Sequence, residues 1–141
     1  MGNATLNARA LLSGAASGVA LVLTEPLSFW GGLDPESGKI IDRRHPQVGD
    51  SIAHRVLAMP SGRGSSSSSS VLAEALRAGT GPTAVLLREP DEIVLVGAMV
   101  VQLLDGLTMP VVVLEPGAYD SLISGAMVHV TEDGRVTIGP A

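Results

Sequence analysis

"MPSGRGSSSSSSVLAEALRAG", Met59 to Gly79, holds six consecutive serines, Ser65 to Ser70, between a Gly-Arg-Gly turn and a segment with helical spacing. By composition alone a serine run reads as a flexible tether. Its flanks argue otherwise. Before it, "AHRVLAMP" reads as a strand closed by Pro60. After it, Val71, Leu72, Ala75 and Leu76 recur at helical spacing, and Gly79 stands where a helix C-cap belongs. A strand therefore runs through a glycine-rich turn almost directly into a helix. Glycines there let the backbone come close to a ligand, and serine suits a helix N-cap. The N–H groups from about Ser65 onward would face outward at the positive end of the helix dipole, an anion-binding geometry. The stretch lacks the lysine of a P-loop and is not the G-x-S-x-G elbow of hydrolases.

Working outward, "PTAVLL" and "MPVVVLE" read as buried strands. Between them "PDEIVLVGAMVVQLLDG" reads as a helix headed by Pro90, Asp91 and Glu92, which suits an N-terminus. Continuous apolar strands alternating with helices imply parallel pairing buried on both faces. "ARALLSG" and "GVALVLTEPL" are two further β-runs separated by a small-residue turn around Gly14 to Gly18. "SFWGGLDPESGKIIDRRHPQVGDSI" is mostly loop with a short strand at Lys39 to Asp42, and "GAYDSLISG" is a short helix or turn. "AMVHVTEDGRVTIG" alternates around Asp133-Gly134, a hairpin signature. The expected fold is α/β: one domain over residues 1–141, with a buried, mostly parallel centre and outer β-hairpins.

Composition narrows the function classes. Of 141 residues 45% are hydrophobic, yet there is one Phe, one Trp and one Tyr, so Val, Leu, Ile and Ala must build the core. A net charge of −5, with scattered arginines and no interleaved aromatics, argues against nucleic-acid binding. No cysteine is present, which removes disulfides and thiolate metal ligands. "IVLVGAMVVQLL" is too short to span a bilayer, and the first residues lack the pattern of a signal peptide. A soluble, cytoplasmic protein is expected.

The block "GGLDPESGKIIDRRHPQVGDSI" followed by "LAMPSGRGSSSSSSVLAEAL" resembles the small subunit, or swivel domain, of the aconitase X family. The resemblance runs across nearly the whole chain. Gly31-Gly32-x-Asp34, Gly38-x-Ile40-x-Asp42-x-x-His45-Pro46 and Gly62-Arg63-Gly64-Ser65 carry it, through their order and spacing. It implies a swivelling β/β/α domain serving a hydro-lyase. The iron or iron–sulfur centre would sit on a large subunit, and this chain would be metal-free, a heterodimer partner and inactive alone. It also implies a small hydroxy acid as substrate, either cis-3-hydroxy-L-proline or mevalonate 5-phosphate. The wider superfamily carries a Gly-x-Gly-Ser-Ser-Arg turn whose first serine is the catalytic base, which lays that role on Ser65. Ser67 stands where the arginine of that motif would be, leaving Arg63 as the candidate positive charge. The unbroken serine run favours the hydroxyproline branch over the phosphomevalonate one.

The chemistry fits those residue types. A serine acts as base only if its alkoxide is stabilised, and helix N-terminal N–H groups with a neighbouring guanidinium can do this. Arg63, Gly64 and Ser66 are the matching candidates for substrate binding, with Asp34 and His45 as further ones. Each has a plainer reading: Asp34 locking its own turn, His45 as a structural turn histidine before proline. Phe29 and Trp30 either plug the core or face a partner. Two other functional classes stand beside the enzyme: a non-catalytic swivel module holding an anion at the Gly-Arg-Gly-Ser loop, and an α/β interaction domain whose serines only cap a helix.

Overall fold

Val56–Met59 and Ala84–Leu87 are strands with no exposed residue, and the architecture follows from covering them. The computed structural model describes residues 4–64 and 66–139. The described residues form eight strands: β1 (Ala4–Leu6), β2 (Ala8–Leu12), β3 (Ala16–Val22), β4 (Val56–Met59), β5 (Ala84–Leu87), β6 (Val111–Leu114), β7 (Met127–Val130) and β8 (Val136–Ile138). They join in the order β1-β8-β7-β3-β4-β5-β6-β2. Neighbours from β3 to β6 pair in parallel, while the four outer pairings are antiparallel.

Because side chains alternate along a strand, β4 and β5 feed two cores. Leu57, Met59, Val85 and Leu87 point to the helical side, where they meet α2 (Ser67–Ala78) and α3 (Glu92–Asp105). Val56, Ala58, Ala84 and Leu86 point the other way. There they meet Tyr119 of the short α4 (Pro116–Asp120), Leu122, and Val128, Val130 and Val136 of the C-terminal hairpin. For one sheet to wrap its own face it must curl. Only Asn7 separates β1 from β2, yet these strands lie at opposite ends of the strand order, so the sheet is nearly closed. Gly134, at the tip of the β7–β8 hairpin, approaches Ala10 of β2 so closely that a Cβ there would lie 3.4 Å from the alanine methyl.

The two helices pack tightly. Ser69 Oγ donates to the Ile93 carbonyl at 2.8 Å, and Arg77 Nε meets Asp105 Oδ2 at 2.6 Å. Gly97 makes the close approach possible: a Cβ there would stand 3.0 Å from the Ser69 carbonyl oxygen and 3.1 Å from Leu72. Gly79 ends α2 in the left-handed conformation (φ 80°), as its sequence position predicts.

The α/β class, parallel centre and C-terminal hairpin match expectation. Three local readings differ. The runs on either side of Gly14 do not pair with each other, because β2 goes to the β6 edge and β3 to the centre. The expected strand at Lys39 to Asp42 is reduced to single bridges, Leu33 with Ile40 and Lys39 with Ser51. And α2 begins inside the serine run, at Ser67.

Tyr119 is 7% exposed, and its hydroxyl is the buried side-chain oxygen left without a hydrogen-bond partner among the described residues. Burial pushes its pKa up to about 12, against the opposing pull of Arg88. A buried hydroxyl with no partner is destabilising. Tyr119→Phe is therefore expected to keep or raise the urea midpoint, by no more than about 1 kcal/mol of stability.

Candidate functional site

The Gly62-Arg63-Gly64 turn leaves the carboxyl end of β4, the edge where ligands bind in parallel sheets. Three neighbours hold its backbone. Leu27 bridges Gly62 in parallel register. The Asp91 carboxylate accepts from the Gly62 N–H through Oδ2 at 2.9 Å and from the Val94 N–H through Oδ1 at 2.9 Å. One side chain thus caps α3 and anchors the loop. Gly64 has φ 103°, and a Cβ would fall 2.5 Å from Ser28 Oγ and 3.1 Å from Ser68 Oγ. Only glycine fits both the conformation and the space.

Ser68 belongs to the first turn of α2, yet it is fully buried and faces inward. Its hydroxyl accepts from the Trp30 N–H at 3.2 Å and lies 3.4 Å from Ser28 Oγ, which donates to the Trp30 carbonyl at 3.1 Å. This hydroxyl pair fastens α1 (Phe29–Gly32) to the entrance of α2. That short element is irregular, since Trp30 and Gly31 leave the helical region. The two aromatics split: Phe29 is 1% exposed in the core, and Trp30 is 63% exposed beside the loop.

Ser66 does not cap α2 with its side chain, although a serine cap was expected. Ser66, at the N-cap, has φ −57° and ψ −21° and makes no side-chain cap bond. A side-chain cap needs an extended residue whose oxygen can turn back to the N2 or N3 N–H. Asp91 has that backbone (φ −139°, ψ 116°) and does cap α3. Ser65, the expected base, lies outside the described residues.

Of the other expected site residues, Arg63, Gly64 and Ser66 come together at the start of α2, all exposed. Arg63 sits 4.0 Å from the Glu25 carboxylate, with both side chains about half exposed (53% and 48%). Pairs of this kind contribute little, so Arg63 can leave Glu25 for another anion at small cost. His45 is 4% exposed, with both ring nitrogens engaged. Its Nδ1 accepts from the Gln47 N–H at 3.1 Å, which leaves Nε2–H to donate to the Glu25 carbonyl at 3.2 Å. It touches the site through Glu25, whose backbone it holds.

Asp34 is not brought to the loop. It accepts from the Ser37 hydroxyl and the Glu36 N–H, bonds that hold its carboxyl below the usual range. The neighbouring Pro35 carbonyl accepts from Thr80 just beyond the far end of α2, a helix roughly 18 Å long. Among the described residues no three His, Cys, Asp or Glu side chains gather as metal ligands. Nor, among the described residues, is any helix long and apolar enough to cross a membrane.

Sequence reading missed Glu25, Ser28 and the tethering role of Asp91, all of which act across long separations. Two substitutions measure this scaffold. Asp91→Ala should cost about 1–2 kcal/mol in urea unfolding, as loss of a helix cap does. Gly64→Ala should cost about 2 kcal/mol or more, combining left-handed strain with overlap of Ser28.

With this geometry in place the likenesses to known proteins are specific. The sequence model of a family described as the aconitase X swivel domain matches residues 5–138. The chain is 50% identical over 130 residues to the cis-3-hydroxy-L-proline dehydratase of Pseudomonas aeruginosa, covering 92% of this chain and 22% of that one. It is 35% identical over 126 residues to the phosphomevalonate dehydratase small subunit of Methanosarcina acetivorans, covering 89% and 83% respectively. The crystal structure of Thermococcus kodakaraensis aconitase X in its holo form superposes with a TM-score of 0.83 and 32% identity, over 97% of this chain and 99% of that one. The chain spans 22% of the length of the hydroxyproline dehydratases it matches. A turn held at the carboxyl end of a buried parallel strand, in a nearly closed mixed sheet, and these matches together make the chain a member of the aconitase X swivel domain family.

Proposed function

We propose that this domain is the swivel part, or small subunit, of an aconitase-like hydro-lyase that dehydrates cis-3-hydroxy-L-proline. The observation that carries the reading is the 50% identity to a protein of that named activity over 92% of the chain. Ser65 is the catalytic base. Its alkoxide takes a carbon-bound proton from the substrate and becomes a hydroxyl, while the substrate's hydroxyl group departs, so that one water is lost in all. Serine needs strong help to exist as alkoxide, and the positive end of α2 with the Arg63 guanidinium supplies it. The same donors hold the substrate carboxylate, which Arg63 reaches by releasing Glu25. Gly64 and Ser66 line the approach, and His45 keeps Glu25 in place.

The residues of this chain do not fit an iron or iron–sulfur centre. There is no cysteine, and no ligand cluster among the described residues. The metal is assigned to the large subunit, the chain alone is inactive, and the assembly is a cytoplasmic heterodimer. A second reading, mevalonate 5-phosphate as substrate, is favoured by one observation: the chain spans 83% of a phosphomevalonate dehydratase small subunit.

The test is recombination with the large subunit and assay of both substrates. Turnover of cis-3-hydroxy-L-proline with at least a hundredfold loss of kcat in Ser65→Ala is expected, the scale of a positioned base. Turnover of mevalonate 5-phosphate alone transfers the site to the second substrate. An unchanged rate in Ser65→Ala removes the base assignment. Arg63→Ala should lower kcat/KM about 10- to 100-fold, the loss of a charge-assisted contact, while Glu25→Gln should leave it nearly unchanged.

A further inference from the structure

Between Glu92 and Asp105 the only polar side chain of α3 is the exposed Gln102, and only half of the helix is covered. Val94, Gly97, Ala98 and Val101 are buried against the sheet and α2. On the outward half, Val96 is 47% exposed, Met99 41%, Leu103 79% and Leu104 72%, and Leu107 just beyond the helix is 40% exposed. The positions follow the spacing of one helical face. No charged residue lies between Glu92 and Asp105, and Asp105 is neutralised by Arg77. Five of the eleven exposed large hydrophobic residues among those described fall on this one surface. A helix that is hydrophobic all round is ordinarily buried, and a contiguous apolar face of this kind marks an interaction site.

We infer that this face of α3 is where the large subunit of the dehydratase packs, an inference that rests on the function proposed above. Two observations choose that occupant over a second copy of the chain. First, the face is continuous with the candidate site. Val96 and Val100 share an outward-opening cleft of about 410 Å³ with Ser66, Ser69, Ser70, Ala73 and Arg77. A body that closes over the start of α2 to reach the loop therefore meets α3 in the same approach. Second, the matched region is 22% of the Pseudomonas aeruginosa dehydratase, so most of that protein lies outside the swivel domain and must contact it somewhere. The opposite face of the sheet is already filled by α4 and the hairpin. An uncharged aliphatic centre edged by serines and an ion pair suits an apolar groove on a large partner, the usual anatomy of a stable interface. Through its N-cap Asp91, α3 is also the helix bonded to Gly62, so contact on α3 is coupled mechanically to the loop.

The test uses Leu103→Glu combined with Leu104→Glu, at positions too exposed to disturb the fold, and Ile123→Glu as a control at a 64% exposed residue elsewhere. Binding of each variant to the separately purified large subunit is measured by calorimetry, and self-association by sedimentation. The large subunit's identity is checked by dehydratase activity on recombination. The double variant is expected to keep its circular dichroism and lose affinity about thirtyfold or more, the scale of an interface hot spot. The control should bind as the wild type does. Equal binding by the double variant overturns the interface while leaving the proposed function standing. So does a wild-type dimer that the double variant dissolves with no change in large-subunit affinity, which would assign the face to a second copy. Failure of the wild type to bind the large subunit removes both proposals.

Discussion

Strands β4 and β5 are buried on both faces, and this one constraint organises the molecule. A strand without a polar face needs an apolar layer above and below it. Two helices supply one layer. The other comes from the sheet itself, which curls until its two edge strands, separated in the chain by Asn7 alone, meet. The outer antiparallel strands are therefore more than trimming on an α/β centre, because Val128, Val130 and Val136 form the second core. Burying β4 on both sides also fixes where its carboxyl end emerges, and the Gly-Arg-Gly turn begins there.

The turn is held by contacts from segments far apart in sequence. Asp91 joins it to α3, Leu27 pairs with it, and Ser28 with Ser68 fills the space beneath Gly64. Each contact leaves the outer surface of the turn open. Glycine at 62 and 64 reflects crowding from below: a side chain at either would strike Asp91 or Ser28. Arg63 between them projects outward, loosely paired with Glu25. A rigid backbone carrying one weakly committed cation is a suitable platform for an anionic ligand.

Much of this was legible in the sequence. Apolar strands alternating with helices gave the parallel centre, Asp133-Gly134 gave the hairpin, and Gly79 ended α2 as its local backbone preference requires. The order of Gly62, Arg63 and Gly64 before the serines marked the strand-to-helix turn that follows β4. The errors fell where local chemistry was outvoted by packing. Six identical serines carry no periodicity, so nothing in the run indicated that Ser68 would point inward while Ser66 and Ser70 stayed exposed. Asp34 and the glycine turn look like companion motifs, yet α2 separates them.

The sequence by itself determined the central strands and the two long helices, the C-terminal hairpin and the family, because propensity, turn chemistry and hydrophobic period act over a few residues and leave a local imprint. Tertiary structure alone decided the closure of the sheet, the double use of Asp91, the sealing of His45 against Glu25 and the bare face of α3. These depend on which apolar surfaces find cover and which buried polar atoms find partners. Those partners lie 29 residues apart between Gly62 and Asp91 and 40 apart between Ser28 and Ser68, distances over which no local pattern in a single sequence records who will meet whom.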